Sequence, residues 1–218
     1  LGNLGSLGFW SMMIFLFIAI IYIQNLQQYL HDVSDVKNEI CEDLTQEFAE
    51  DLDRWDMTIC EGGLLIRFQS DTNFESASAL LSSDFQELLD NFIPRLFSVI
   101  WRYKSAVSEL RIEGHTDSNI SKWATPLGGY IYNTKLSQDR SRNVLSYALS
   151  LPTVASNSSY LKWSFSNVTA HGMSSSDLIL NGTEEVYDKS RRVEFRIKTN
   201  AEAKLLDLVT ELKRNEDQ

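Results

Sequence analysis

Two charged residues of opposite sign stand out in the sequence, because each lies where a regular element is predicted to begin or end. Asp117 closes the segment 112–117 (IEGHTD), which predicts a short apolar strand followed by a glycine-containing turn. Arg140 lies in the segment 133–140 (NTKLSQDR), where a loop is predicted to enter a helix. A carboxylate binds an ammonium group, and a guanidinium binds a carboxylate in bidentate fashion. The pair is therefore suited to one small zwitterionic ligand.

These residues belong to a series of motifs that resembles the OmpA-like peptidoglycan-binding domain. That family reads approximately IxGHTD, then NxxLSxxR, then RRVE followed by an alternating strand. The chain has IEGHTD at 112–117, NTKLSQDRS at 133–141 and SRRVEFRI at 190–197. A phenylalanine followed by small residues and leucine precedes them at 74–80 (FESASAL). The motifs occur in the family's order, which is far more specific than GHTD alone, and the resemblance covers residues 59–199.

The resemblance implies an α/β sandwich of the OmpA-like βαβαββ type that binds the cell wall. In that family the Asp of GHTD and the Arg of LSxxR hold the diaminopimelate of the peptidoglycan stem peptide. By resemblance, the peptidoglycan-binding residues of this chain are Asp117, Arg140, Asn133, Thr116, Tyr132 and Leu136. Asp117 and Arg140 carry the charges, and Asn133 and Thr116 are expected to add polar contacts. One departure is the aromatic, glycine-rich stretch 121–132, which the family usually lacks and which we expect to shape or partly cover the pocket.

The N-terminal part of the sequence predicts a single transmembrane helix within residues 1–26. Residues 1–30 carry no charged side chain, and residues 4–23 are almost continuously apolar. At about 1.5 Å per residue, a helix of that length crosses the roughly 30 Å hydrocarbon core. A secretory signal is disfavoured, because the run is too long and no small-residue cleavage site follows it. Because the sequence begins with Leu1 rather than Met, we expect further residues before it.

This helix resembles the single span of MotB-type stator proteins, which reads approximately DFMTAMMAFFLV with the Asp carrying the proton. Aligned on Met12 and Met13, the chain has LGFWSMMIFLFI at 7–18, so Leu7 stands where the Asp is expected. An ionisable residue inside a span is a functional-site hypothesis by default, so its absence matters. Either the chain is a non-translocating relative, or it is a substituted variant of a conducting one. We favour the second, because a costly membrane carboxylate is rarely lost without reason.

Residues 27–57 predict a neck helix that continues the span. Its apolar residues recur at spacings of three and four, at 30, 33, 36, 40, 44, 48, 52 and 55. This stripe packs either on the chain's own domain or on a second copy, and the stator resemblance favours a homodimer. Residues 31–57 hold ten acidic residues against Lys37 and Arg54, much of the formal charge of −10. The chain carries no basic footprint for nucleic acid.

Cys41 and Cys60 are the two cysteines of the chain, and we place both outside the inner membrane. One disulfide in an oxidising compartment is expected, and two unpaired buried thiols are the alternative. An unstrained bridge of this loop length adds on the order of 3 kcal/mol of stability. The three histidines are scattered without metal-ligand spacing, so we predict no metal and no cofactor.

The remaining pattern alternates strands and helices over a domain at residues 58–200, followed by an amphipathic helix at 201–218. Strands or strand pairs are predicted at 57–69, 109–114, 164–171 and 192–198, helices at 77–103 and 136–151, and loops at 153–159 and 174–190. In the last strand, Val193, Phe195 and Ile197 should point inward, and Glu194 and Arg196 outward.

Catalysis is not expected from this sequence. Ser118, His115 and Asp117 are too close on one turn for a nucleophile–base geometry, and a GxSxG elbow is absent from the sequence. We expect His115 to pack at a strand end. Arg191 and Arg192 are predicted either to contact the ligand's carboxylates or to form ion pairs with Glu113 or Glu194.

Taken together, the resemblances imply a peptidoglycan-anchored stator subunit of a proton-driven MotA/MotB-like motor in the bacterial inner membrane. The N-terminus would be cytoplasmic and the C-terminal domain periplasmic. The short neck and the aromatic stretch are most similar to the ZorB family of the Zorya anti-phage systems. Two copies would then sit inside a ring of multi-span MotA- or ZorA-type subunits. The alternatives are a passive OmpA-like cell-wall tether, which Leu7 supports, and a flagellar-type stator subunit.

Overall fold

The structure is a computed structural model that describes residues 2–69, 73–74, 78–119 and 125–201. It divides into two compact units, Leu1–Glu39 and Ile40–Gln218. The predicted amphipathic helix at 201–218 lies almost wholly outside the described residues, as does the segment 120–124 of the aromatic stretch.

The first unit belongs to one long helix, α1 (Gly2–Glu47). Within the described residues, Phe9–Gln28 is the helical segment long and apolar enough to cross a membrane, with a mean hydropathy of 1.9. Its large side chains are exposed, as in Phe15 and Phe17. This segment overlaps the predicted span, although the side chain of Leu7 lies outside what the structure describes.

The second unit begins inside α1, where the predicted apolar stripe enters the core. Ile40, Leu44 and Phe48 have no exposed surface, so this part of the stripe packs on the chain's own domain. The helix ends at Glu47 and not near Met57 as predicted. Arg95 explains the early end, because its guanidinium donates hydrogen bonds to the Glu47 carbonyl and binds the Glu47 and Asp51 carboxylates at 2.7 Å.

The predicted disulfide is present. Cys41 on α1 is bonded to Cys60, with a Cα–Cα distance of 6.1 Å. Cys60 follows strand β1 (Met57–Ile59), which forms an antiparallel hairpin with strand β2 (Leu65–Phe68). The bridge therefore joins the end of the long helix to the edge of the sheet.

The core is a five-stranded sheet with the strand order β1-β2-β7-β3-β4. Strand β3 (Val107–His115) lies between β7 (Val193–Thr199), which is antiparallel to it, and β4 (Val168–Ser174), which is parallel. The mixed α/β fold predicted from the motifs is confirmed.

Helix α2 (Ser83–Arg102) supplies much of the core on one face of the sheet. Its Phe92 ring lies 4.9 Å from that of Phe68, 5.1 Å from Phe195 and 5.0 Å from Phe48. The helix begins at Ser83 and not near residue 77, because the Ser82 side chain accepts a hydrogen bond from the Phe85 amide and caps it.

Helix α3 (Pro126–Ser150) begins ten residues earlier than predicted. Thr125 caps it by accepting a hydrogen bond from the Gly128 amide, and Pro126 suits the first helical position. Residues 126–132 of the aromatic stretch are therefore helical rather than a loop. A short helix, α4 (Pro152–Ala155), follows.

Three further segments differ from the prediction between α4 and β7. Helix α5 (Ser158–Asn167) occupies residues predicted as loop and strand, because the Asn157 side chain caps the Ser159 and Tyr160 amides at 3.1 Å. Strand β4 consequently starts at Val168. The predicted polar loop contains a small hairpin, β5 (Leu180–Asn181) with β6 (Glu184–Glu185), and the helical turn α6 (Tyr187–Ser190).

Candidate functional site

The end of β3 forms the base of the candidate site. The backbone amide of His115 donates to the Arg192 carbonyl at 3.0 Å, and that of Thr116 donates to the Ser174 carbonyl at 2.9 Å. These bonds hold the last residues of the strand between its two neighbours. Asp117 follows directly, so its position is set by the sheet.

Helix α3 lies unusually close to this strand end, and two glycines make the approach possible. A Cβ atom added to Gly114 would lie 2.5 Å from the Ser137 carbonyl oxygen, and one added to Gly172 would lie 2.4 Å from the Gln138 backbone nitrogen. The Ser137 hydroxyl accepts a hydrogen bond from the Ser174 amide at 3.0 Å. The glycine of GHTD and the serine of LSxxR thus bring α3 against the sheet.

Asn133 connects α3 directly to Asp117. Its side-chain amide donates to the Asp117 carbonyl at 3.0 Å, and Asn133 is only 4% exposed. The predicted polar role of Asn133 thus has a structural counterpart, since it fixes the backbone of the acidic residue. Thr116 is also buried, and its hydroxyl has no hydrogen-bond partner among the described residues.

The Asp117 carboxylate is already engaged by a cation. One oxygen lies 2.5 Å from a terminal nitrogen of Arg191, and the other accepts a hydrogen bond from the Asn119 amide at 3.0 Å. Arg191 also pairs with Asp188. Sequence reasoning considered Arg191 as a ligand contact or as a partner of Glu113 or Glu194, and it missed this pairing with Asp117. The RRVE motif follows α6, so only the folded chain brings it to the end of β3.

Arg140 lies on the same buried face of α3 as Asn133, two turns further on, or about 10 Å along the helix axis. Its Nε donates to the Ser78 carbonyl at 3.0 Å, and its guanidinium carbon lies 4.6 Å from the centre of the Phe74 ring. Asn143, one turn later, donates to the Ala79 carbonyl at 2.8 Å. The phenylalanine and small residues of the upstream motif therefore orient the Arg140 side chain, which is 8% exposed.

Asp117 and Arg140 thus lie along one face of α3 with different partners, which leaves the two side chains available to different groups of one ligand. Tyr132 and Leu136 are half-buried on the same helix. The segments 75–77 and 120–124, which adjoin this face in sequence, lie outside the described residues.

Behind the strand end lies a charged layer formed by Glu113, His115, Glu194 and the arginines around them. Glu194 was predicted to point outward into solvent, and this is wrong: it has no exposed surface. Its carboxylate binds Arg192 at 2.6 Å, Arg67 at 2.8 Å and Arg196 at 2.9 Å. The hydrocarbon stems of the arginines cover the sheet here, which buries the acid while keeping it paired.

Paired burial changes the acidity of these groups. Burial by itself raises the pKa of Glu194, but the positive charges, Arg192 first and then His115 and Arg67, lower it to about 2. The pKa of Glu113 is also lowered, because Arg196 and His115 offset its burial. Both carboxylates are therefore ionised at neutral pH and act as structural anions.

His115 is fully buried between these acids, which confirms its predicted packing at the strand end. Its Nε2 lies 3.8 Å from Glu113 and 3.7 Å from Glu194, which is beyond hydrogen-bonding range. The donor atoms of these three residues are close enough together to hold a metal ion. However, Arg196 already binds the facing oxygens at 3.0 and 2.9 Å, so its guanidinium competes with a metal for the same lone pairs.

The residues that suggested catalysis are separated by these contacts. The backbone amide of Ser118 donates to Glu185 at 3.1 Å and its hydroxyl donates to the same carboxylate, whereas His115 lies in the charged layer. The geometry favours a binding site built on Asp117 and Arg140.

Comparison with known proteins places the chain among cell-envelope proteins. No family model matches it. It is 35% identical over 209 residues to the Zorya protein ZorB of Escherichia coli, which covers 92% of this chain and 88% of that protein. A putative MotB-like protein from Desulfovibrio vulgaris is similar in structure, with a TM-score of 0.53, 19% identity, and coverage of 77% of this chain and 94% of that one. The cell wall anchor of the T6SS from Pseudomonas aeruginosa gives a TM-score of 0.48 and 23% identity, covering 72% and 96%.

Proposed function

This chain belongs to the ZorB family of Zorya proteins, and on that premise we propose that it is a single-span inner-membrane stator subunit whose C-terminal domain binds peptidoglycan. The observation that carries the proposal is the placement of Asp117 and Arg140 along one face of α3, each held by neighbours that fix its position. A motor can do work only against a fixed point, and attachment to the cell wall supplies that point.

The ligand end we assign to this face is the free end of diaminopimelate, which carries an ammonium group and a carboxylate on one carbon. Arg140 would bind the carboxylate. Because Ser78 and Phe74 already orient its guanidinium, little side-chain freedom is lost on binding. Asp117 would bind the ammonium group.

Arg191 regulates access to Asp117 in this proposal. The ligand's ammonium group has to replace the Arg191 guanidinium on the Asp117 carboxylate, one cation for another. Asp188 keeps a second contact to Arg191, so the displaced side chain retains a partner. The exchange favours ligands with a compact ammonium group and disfavours neutral ones.

We assign residues 1–26 to the membrane span, 27–57 to the neck, 58–200 to the peptidoglycan-binding domain and 201–218 to a C-terminal tail. The N-terminus would be cytoplasmic and the C-terminal domain periplasmic. The Cys41–Cys60 disulfide supports this orientation, because it follows the span and disulfides persist in oxidising compartments.

The same proposal gives the chain two kinds of protein partner. Two copies would form a homodimer inside a ring of multi-span ZorA- or MotA-type subunits, driven by the proton-motive force. Leu7, which stands where MotB-type spans carry Asp, would prevent proton transfer in this form of the chain.

A passive cell-wall tether is the second candidate function, and Leu7 is the observation that favours it. Purification in mild detergent distinguishes the two, since a stator co-purifies with a multi-span partner and a tether does not. Leu7→Asp extends the test: proton flux should appear in the presence of that partner only if the chain is a stator subunit.

The peptidoglycan site is tested by sedimentation of the detergent-solubilised full chain with purified diaminopimelate-type sacculi. Arg140→Lys keeps the charge but loses the planar donor pair, so we expect at least a tenfold loss of binding. Arg142→Lys is the matched control on the same helix, since Arg142 is 69% exposed and pairs with Asp139. Equal binding by the two variants would reject the assigned site.

A further inference from the structure

A second cleft, of about 280 Å³, lies between the turns that follow α1 and the first turns of α2. Its apolar wall contains Trp55 and Phe85, which are 8% and 2% exposed. The Phe85 ring lies 5.9 Å from that of Phe74, and Phe74 in turn contacts the Arg140 guanidinium. One aromatic side chain therefore links this cleft to the candidate site.

The rim of the cleft is acidic. Asp56, Asp84 and Glu87 are exposed carboxylates, and Arg54 is the basic residue among those that line the cleft. Three carboxylates against one guanidinium leave a net charge of −2. Asp84 lies in the first turn of α2, where the helix dipole offsets part of its charge, so Asp56 and Glu87 contribute most to the attraction for a cation.

A buried, unpaired donor also lines the cleft. Asn73 is 4% exposed, and its side-chain Nδ2 has no hydrogen-bond partner among the described residues. Its backbone carbonyl is used, since it accepts a hydrogen bond from the Ser82 amide at 3.1 Å. Buried donors without a partner are rare in folded proteins, and one beside a cleft is explained by a ligand that brings an acceptor.

We propose that this cleft binds an ammonium group of a second peptidoglycan stem peptide, together with the peptide carbonyl next to it. The carboxylates at the rim attract the cation, the Trp55 ring offers it an aromatic surface, and the Asn73 amide donates to the carbonyl. The volume fits a single aminoalkyl group and is below the size of a typical pocket for larger ligands.

This inference rests on the proposed function, because it takes the ligand from the same polymer. Its physical basis is proximity: Phe74 separates the two clefts, so adjacent stem peptides of one sacculus can reach both. Two weak contacts to one polymer increase the overall affinity far more than either contact alone.

The test compares sacculus binding by full-length variants in detergent. Asp56→Asn with Glu87→Gln removes two charges from the rim, and Asn is well tolerated at position 56, where φ is 44°. Glu61→Gln with Glu184→Gln removes two exposed charges elsewhere and is the matched control. We expect the rim variant to bind about fivefold more weakly than the wild type, with the control unchanged.

Asn73→Leu provides an independent readout. If the amide is kept for a ligand, its removal should weaken sacculus binding while the melting temperature stays the same or rises, since an unpaired buried donor is lost. If Asn73 has only a structural role, the melting temperature should fall, and that result would overturn its assignment.

The outcomes separate the two proposals. If the wild type does not bind sacculi, the proposed function fails. If the wild type binds, Arg140→Lys does not, and the rim variant binds as well as its control, then the proposed function stands and this inference is overturned, whether or not a basic segment of a partner protein occupies the cleft.

Discussion

A terminal nitrogen of Arg191 lies 2.5 Å from the Asp117 carboxylate, so the acidic residue of the candidate site is neutralised by the chain itself. Asp117 is only 14% exposed and Arg191 25%. The ion pair is therefore partly shielded from solvent, and it must open before Asp117 can bind a ligand cation. This relationship determines the first expected outcome.

Arg191→Gln should strengthen sacculus binding by a few fold, because the competing cation on Asp117 is removed. The measurement is the sedimented fraction of the full chain at increasing amounts of sacculi. Lys189→Gln, an exposed charge two residues away, is the control. Loss of binding in Arg191→Gln would instead make Arg191 one of the ligand-binding groups.

The Glu194 cluster should make stability depend on pH. The pKa of Glu194 is about 2 in the folded state, below its ordinary value near 4.3. Its contribution is therefore fully present above about pH 5 and is lost as the pH falls toward 2. Such a shift corresponds to about 3 kcal/mol at neutral pH.

Urea unfolding of the full chain at pH 7 and pH 3 measures this effect. Glu194→Gln should lower the free energy of unfolding at pH 7 by about 3 kcal/mol and reduce the difference between the two pH values. Glu184→Gln, on an exposed hairpin strand, should change neither. An unaltered pH dependence in Glu194→Gln would show that other carboxylates, such as Glu109, dominate acid sensitivity.

Gly114→Ala should destabilise the fold and the site together. The added Cβ would lie 2.5 Å from the Ser137 carbonyl oxygen, and a backbone atom cannot move aside as a flexible side chain can. We expect a loss of about 3 kcal/mol in unfolding free energy, and weaker sacculus binding because α3 is displaced. At Gly128 a Cβ meets only the Thr125 hydroxyl, at 3.1 Å, so Gly128→Ala is the control.

Reduction should destabilise the domain by releasing α1 from the β1–β2 hairpin. Cys41 and Cys60 are 19 positions apart, and a loop of that length contributes about 3 kcal/mol. A reducing agent should therefore lower the melting temperature of the wild type. It should have no effect on the Cys41→Ser/Cys60→Ser variant, which should already melt at the lower temperature.

Local pattern determined a large part of this protein. The alternation of Val193, Phe195 and Ile197 predicted a strand with one buried face, and those three residues are buried. The uncharged apolar run predicted a segment long enough to span a membrane. The motif series predicted the α/β fold and the family, because side-chain periodicity and turn chemistry act over a few residues and can be read from the sequence directly.

Only the tertiary structure decided the contacts between distant residues. Glu194 alternates like a solvent-facing residue, yet Arg67, 127 positions away, helps to bury it. Arg191 reaches Asp117 across 74 positions, and the neck stripe enters the chain's own core. A one-dimensional pattern states which side of a strand or helix is apolar, but which partner covers each side depends on how the elements pack.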